Sequence, residues 1–127
     1  MTKLLLIGLG GSLGAIARYL LSSWVQERID GDFPGGTFVV NALGCLVIGG
    51  LMYFAQEDRQ LLSENVRMLL VVGLLGSMTT FSTFGYETFL LIDGGHLRLA
   101  LGSILANVIV GLLAVWLGWG TARLIST

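Results

Sequence analysis

Gly73-Leu74-Leu75-Gly76-Ser77-Met78-Thr79-Thr80-Phe81-Ser82-Thr83-Phe84-Gly85-Tyr86-Glu87 decides how this chain folds. Apolar residues flank it on both sides, yet hydroxyl side chains stand at positions 77, 79, 80, 82 and 83. Ser and Thr compete with a helix for its own backbone hydrogen bonds, and Thr is also β-branched. The cluster therefore predicts a break in the helix at about Ser77 to Thr80. Non-helical backbone at membrane depth survives only when buried in protein or lining a cavity. Freed carbonyls in such a break can bind a cation, and half-helix ends can face ions. Phe81 and Phe84 are three apart and share a helix face. An aromatic ring has a positive edge, so two rings presented edge-on help carry an anion stripped of water. Either ring alone reads as a lipid-facing or core residue; the surrounding hydroxyls turn the reading toward an ion path.

The rest of the chain agrees with a membrane setting. Of its 127 residues, 54% are hydrophobic and 12% charged, and mean hydropathy is +0.84. A soluble domain carries about a quarter charged residues, which excludes a soluble enzyme. A formal net charge of −1 provides no basic face for nucleic acid. Cys45 is the sole cysteine, so neither an intramolecular disulfide nor a multi-Cys metal site can form. With His96 the sole histidine, zinc and haem chemistry lack ligands too. The 19 Gly sit inside apolar runs without a three-residue period, as suits close helix approach in a membrane.

Crossing the hydrocarbon takes roughly 20 apolar residues. Four segments qualify: Leu4 to Val25, Thr37 to Ala55, Met68 to about Ile92 and Leu99 to Ala122. The sequence thus predicts an all-α membrane protein of four transmembrane helices, the third broken, in one domain over 1–127 with short loops. Lys3, an apolar run and Ala15-Ile16-Ala17 imitate a cleavable signal peptide, but apolar character continues to Trp24. An uncleaved first span is the better reading. Gln26 to Gly36 is a polar turn containing the only Pro, and Asp93-Gly94-Gly95 is another turn. Gln56 to Arg67 holds Glu57, Asp58, Arg59, Glu64 and Arg67, with Ser63 placed to cap the next helix. One side of the membrane receives Lys3, Arg59, Arg67 and Arg123; the other receives Arg28, Arg98 and, if it reaches the surface, Arg18. So weak a bias is compatible with a chain that inserts both ways and pairs with itself, or with an ordinary single topology.

Polar groups inside spans are the default functional candidates. In the first span, Gly8, Gly10, Gly11, Gly14 and Ala15 form a small-residue packing face, and Gly44, Gly49 and Gly50 act similarly in the second. Arg18 either snorkels to the interface or forms a positive vestibule that concentrates anions. Asn41, between Thr37 and Cys45 on its helix, is either interhelical glue or the lining of a watery path. Ser103 and Asn107 are four apart in the last span, with Gly111 next on the same face, and make a narrow polar stripe.

Three stretches together resemble the CrcB/Fluc fluoride channels over essentially the full chain. They are Gly10-Gly11-Ser12-Leu13-Gly14-Ala15-Ile16-Ala17-Arg18-Tyr19, Gly36-Thr37-Phe38-Val39-Val40-Asn41-Ala42-Leu43-Gly44, and Gly73-x-x-Gly76-x-x-Thr79-Thr80-Phe81-Ser82-Thr83-Phe84. The third is very specific, and the order and placement of all three make chance agreement improbable. The resemblance implies an antiparallel, dual-topology homodimer in a bacterial inner membrane, with two fluoride pores surrounded by lipid. It also implies a structural sodium ion held by backbone carbonyls of Gly76 and Thr79. Asn41, Phe81, Ser82, Thr83 and Phe84 match pore residues, and Ser103 and Asn107 occupy the place of the fourth-span polar track. Arg18 matches the vestibule arginine, and Glu87 a carboxylate near the pore end.

Physical chemistry agrees with that expectation. A small anion gives up water only where hydroxyls, amides or aromatic edges replace it, and several weak sites in series keep it from being trapped. A small multidrug transporter also has four spans and antiparallel dimers, but it needs an embedded carboxylate for proton exchange. The first span has no Asp or Glu, and Glu87 is the only carboxylate within a span. A purely structural subunit explains the glycine faces but not five hydroxyl residues beside paired Phe. Proton-coupled fluoride transport remains open in the sequence, with Glu87 the sole obvious proton carrier.

Overall fold

The structure, a computed structural model, describes residues 1–57 and 62–126. Asp58 and Arg59 of the second loop lie outside the described residues, as does the side chain of Glu57. Helix α1 runs Thr2–Gln26 and α2 Gly35–Glu57. Helix α3 has three parts, Glu64–Arg67, a wider π-helical stretch Met68–Leu75, and a last turn Gly76–Met78. Helix α4 is Phe81–Asp93 and α5 is Leu97–Ser126. Among the described residues, four segments are long and apolar enough to cross a membrane: Thr2–Gln26, Gly35–Gln56, Glu64–Asp93 and Leu97–Ser126. They contain the four expected spans, each extended by a few residues into the polar ends.

Local chemistry starts and stops these helices. Pro34 precedes α2 and its carbonyl accepts the N–H of Phe38 at 3.2 Å, a position where a missing N–H costs nothing. The Gln26 amide braces the turn before it, donating to Phe33 O at 3.1 Å and accepting from Gly36 N at 3.2 Å. Ser63 caps α3 as its position predicts, its Oγ accepting from Val66 N at 3.4 Å. After α4, His96 N reaches Leu91 O at 2.7 Å and Gly95 N reaches Ile92 O at 3.0 Å. Gly95 has φ 81°, the left-handed residue that this helix-ending motif requires.

Two helix pairs make the body: α1 lies along the π-helical part of α3, and α2 along α5. Lipid provides no hydrophobic drive between helices, so close backbone approach holds them. A Cβ on Gly10 would run into Leu69 O, and one on Gly14 into Leu74 O. Gly49 opposes Val115 O and Gly118 opposes Leu46 O in the same way. Gly8 belongs to no such face, since a Cβ there meets nothing within 4 Å; it sits half a turn away from the Gly10–Gly14 contact. Large apolar side chains such as Leu5, Leu112 and Trp116 are exposed on the outside, as a lipid-facing surface demands. This is a multi-pass membrane protein.

The predicted break is present but shorter, and lies at the end of the expected stretch. Only Thr79 (φ −81°, ψ 150°) and Thr80 (φ −149°, ψ 120°) are extended; Ser77 remains helical. Thr79 N and Thr79 Oγ1 both still donate to Leu75 O, each at 3.0 Å, and complete the last turn of α3. The helix opens only where the next N–H, that of Thr80, leaves for another partner.

Candidate functional site

That partner is Asn41 of α2. Its Oδ1 accepts from Thr80 N at 2.9 Å, and its Nδ2 donates to Thr80 O at 3.3 Å. The same Nδ2 donates to Asn107 Oδ1 at 3.2 Å, and Asn107 Nδ2 donates to Ser103 O at 2.9 Å. A polar seam thus crosses the protein from the break through α2 to α5. Both amide hydrogens of Asn41 are engaged, whereas Asn107 keeps one. The Asn41 amide bridges two neighbouring helices, and the residue also borders the cavity described next.

Thr80 caps α4. Its Oγ1 accepts from Thr83 N at 3.2 Å, lies 3.2 Å from Ser82 Oγ and donates to Thr83 Oγ1 at 3.1 Å. The hydroxyl cluster is therefore one network that starts the second half-helix. Sequence reading placed Thr80 in the break without assigning it this role, yet a hydroxyl just before a helical run is a capping signal.

These diversions leave two carbonyls without their helical donors. In an unbroken helix, Thr80 N–H would serve Gly76 O and Thr83 N–H would serve Thr79 O. Both donors point elsewhere. The two oxygens belong to residues lining one cavity of about 390 Å³, along with Asn41, Gly44, Cys45, Phe81, Phe84 and Asn107. Neutral, hard oxygen donors of this kind suit a hard cation. Among the described residues there is no cluster of His, Cys, Asp or Glu able to hold a metal. Backbone carbonyls are the donor set that fits.

Phe81 and Phe84 meet as their spacing predicts, with ring centroids 5.5 Å apart and planes at 57°. Phe81 is 84% exposed in the single chain, and Gly76 is exposed beside the same cavity. The cavity wall is thus open on one side. Ser103 is fully buried, and its hydroxyl has no hydrogen-bond partner among the described residues.

Arg18 does not sit alone in lipid. It lines a second cavity of about 190 Å³ with Ser22, Thr37, Thr80 and Thr83. Glu87 lies toward the mouth: its Oε1 accepts from Thr37 Oγ1 at 2.9 Å, while Oε2 is buried without a partner. It borders a separate cavity of about 380 Å³ with Gln26, Asp32, Pro34 and His96. Across that mouth, His96 Nε2 stands 3.7 Å from Asp32 Oδ2. The structure therefore brings Asn41, Thr79, Gly76, Phe81, Phe84 and Asn107 around one cavity. Arg18 and Thr83 flank another, and Glu87 a third.

A four-span helical membrane protein built around a discontinuous third span, with hydroxyls, amides and aromatic rings gathered at the discontinuity, has the parts of an ion-handling protein. The chain belongs to the CrcB family: the model described as "CrcB-like protein, Camphor Resistance (CrcB)" matches residues 5–119. It is 46% identical over 123 residues to a protein of Chloroflexus aurantiacus named fluoride-specific ion channel FluC, covering 97% of each chain. A Geotalea daltonii protein of the same name is 44% identical over 125 residues, covering 98% of this chain and 100% of that one. Fluoride-specific ion channel FluC 1 of Methanosarcina acetivorans is 47% identical over 118 residues, covering 93% of this chain and 88% of that one. These relatives are named as channels, not as enzymes.

Proposed function

We propose that this chain forms a fluoride-selective channel that lets fluoride leave the cytoplasm passively and so limits its toxicity. The observation that carries the reading is the two-residue break, which sets two carbonyls without helical donors, the Asn107 amide and a contacting Phe pair around one open cavity. Full-length similarity to proteins named fluoride-specific channels supports it.

Fluoride is small and strongly hydrated, so it enters only where protein groups take the place of water. Arg18 concentrates the anion at the vestibule by charge. The hydroxyls of Ser82, Thr83 and Ser103, the remaining amide hydrogen of Asn107 and the ring edges of Phe81 and Phe84 then replace its hydration in turn. Asn41 borders the same cavity and joins this lining. Individually weak contacts in series permit both entry and exit.

The open cavity wall supports a second copy as the missing side. In this reading two chains pair antiparallel in a bacterial inner membrane, and the near balance of Lys and Arg across the two sides allows both orientations. The Gly76 and Thr79 carbonyls of each chain would hold a structural sodium ion at the centre. When bound, that ion supplies a fixed positive charge that offsets the cost of anions nearby in a medium of low dielectric.

Proteoliposomes loaded with fluoride test the function. Under an imposed voltage the fluoride should leave through the reconstituted protein, while chloride-loaded vesicles retain their contents. Equal loss of both halides overturns the selectivity, and retention of fluoride overturns the channel.

A further inference from the structure

We infer that Asn41 and Gly44 are positioning residues, and that α2 acts together with the Thr80 cap of the third span to keep the span broken and its two carbonyls free for a cation. The inference rests on the proposed cation-holding break and assigns its cause.

Asn41 and Gly44 are three apart on α2 and share one face. Asn41 addresses both sides of Thr80, accepting from its N–H and donating to its C=O. Its amide therefore acts on this residue as a neighbouring β-strand would. The N–H it removes is the one that an unbroken helix gives to Gly76 O. Without Asn41, that N–H loses the acceptor that holds it away from the helix.

Gly44 positions the preceding residue. Thr79 Oγ1 donates back to Leu75 O at 3.0 Å, which fixes the rotamer of the side chain. Its methyl group then occupies the space that a Cβ on Gly44 would need. An alanine at 44 and Thr79 in its present place exclude each other. One α2 face thus grips consecutive residues, Thr79 through its methyl group and Thr80 through its backbone. The carbonyl of Gly76 is left over as a consequence, and that of Thr79 because Thr83 N–H goes to Thr80 Oγ1.

The hydrogen-bond count leaves the Asn41 amide one contact that an anion can replace without freeing Thr80. Its two hydrogens go to Thr80 O and Asn107 Oδ1. Displacing the second leaves Thr80 gripped, whereas displacing the first loosens the break.

Thermal unfolding of the purified full-length protein in detergent, titrated with sodium chloride against choline chloride, tests the assignment. A cation bound only by the folded protein stabilises it by mass action. In Asn41→Ala and Gly44→Ala the sodium concentration for half-maximal stabilisation should rise about tenfold or more, as expected for loss of a directional contact. Gly120→Ala adds a methyl group inside α5 where it meets nothing within 4 Å, so its sodium response should match wild type. If Asn41→Ala fails to fold, Gly44→Ala decides. An unchanged sodium response in the alanine variants overturns the inference, and so does a wild-type protein that ignores sodium. Fluoride efflux from vesicles made with the same wild-type preparation separates the two readings. Efflux without any sodium response sinks only this inference, whereas a sodium response without efflux sinks the channel.

Discussion

Replacing Gly118 by Ala should destabilise the protein, while the same change two residues later should not. Gly118 and Gly120 both lie inside α5, so the gain in helix propensity from Ala, up to about 1 kcal/mol, is common to both and cancels in the comparison. What differs is the neighbour. A Cβ on Gly118 would collide with Leu46 O and stand 3.0 Å from Gly50 N, both backbone atoms of α2 that cannot rotate aside. At Gly120 it would meet nothing within 4 Å. Overpacking of a tight contact costs about 1–3 kcal/mol, and a contact with rigid backbone belongs at the upper end. For a chain of this size that gap corresponds to a difference in unfolding midpoint of roughly 10 °C. Tryptophan fluorescence during thermal unfolding in detergent measures it. Equal midpoints for Gly118→Ala and Gly120→Ala would refute the view that close backbone approach holds α2 to α5.

Two further substitutions bear on the pore and the topology. Phe81→Ile and Phe84→Ile keep apolar bulk but remove the ring quadrupole, so fluoride flux should fall about tenfold or more in each. Size-exclusion chromatography should still find the proposed dimer, and undiminished flux in both variants would return the rings to plain packing. Several Lys inserted at the Asp93–Gly95 turn should trap one membrane orientation and abolish flux, with rescue by a copy biased the other way. Conduction by a strongly biased copy alone would exclude the antiparallel arrangement.

The spans were legible because apolar length and a lack of charge are local properties, and the helix ends follow from Ser63, Pro34 and Gly95. The break was legible from its crowded hydroxyls, but its exact bounds were not. Ser77 and Thr79 look alike in sequence, whereas only the N–H of Thr80 finds an acceptor on another helix. The π-helical stretch Met68–Leu75 is uniformly apolar and carries no local signal. It lies where the Gly10–Gly14 face presses against Leu69 and Leu74, a tertiary contact. For the same reason sequence left Asn41 undecided between two roles. An amide shows which partners it has only once the backbone it grips has been placed.

The central claim is passive, selective passage of fluoride, and the reversal potential of the current in a planar bilayer tests it most directly. With different fluoride concentrations on the two sides, the potential should follow the fluoride gradient alone. It should not move when a sodium gradient or a pH gradient is added. A reversal potential that shifts with the proton or sodium gradient would contradict the account and make the protein a coupled carrier.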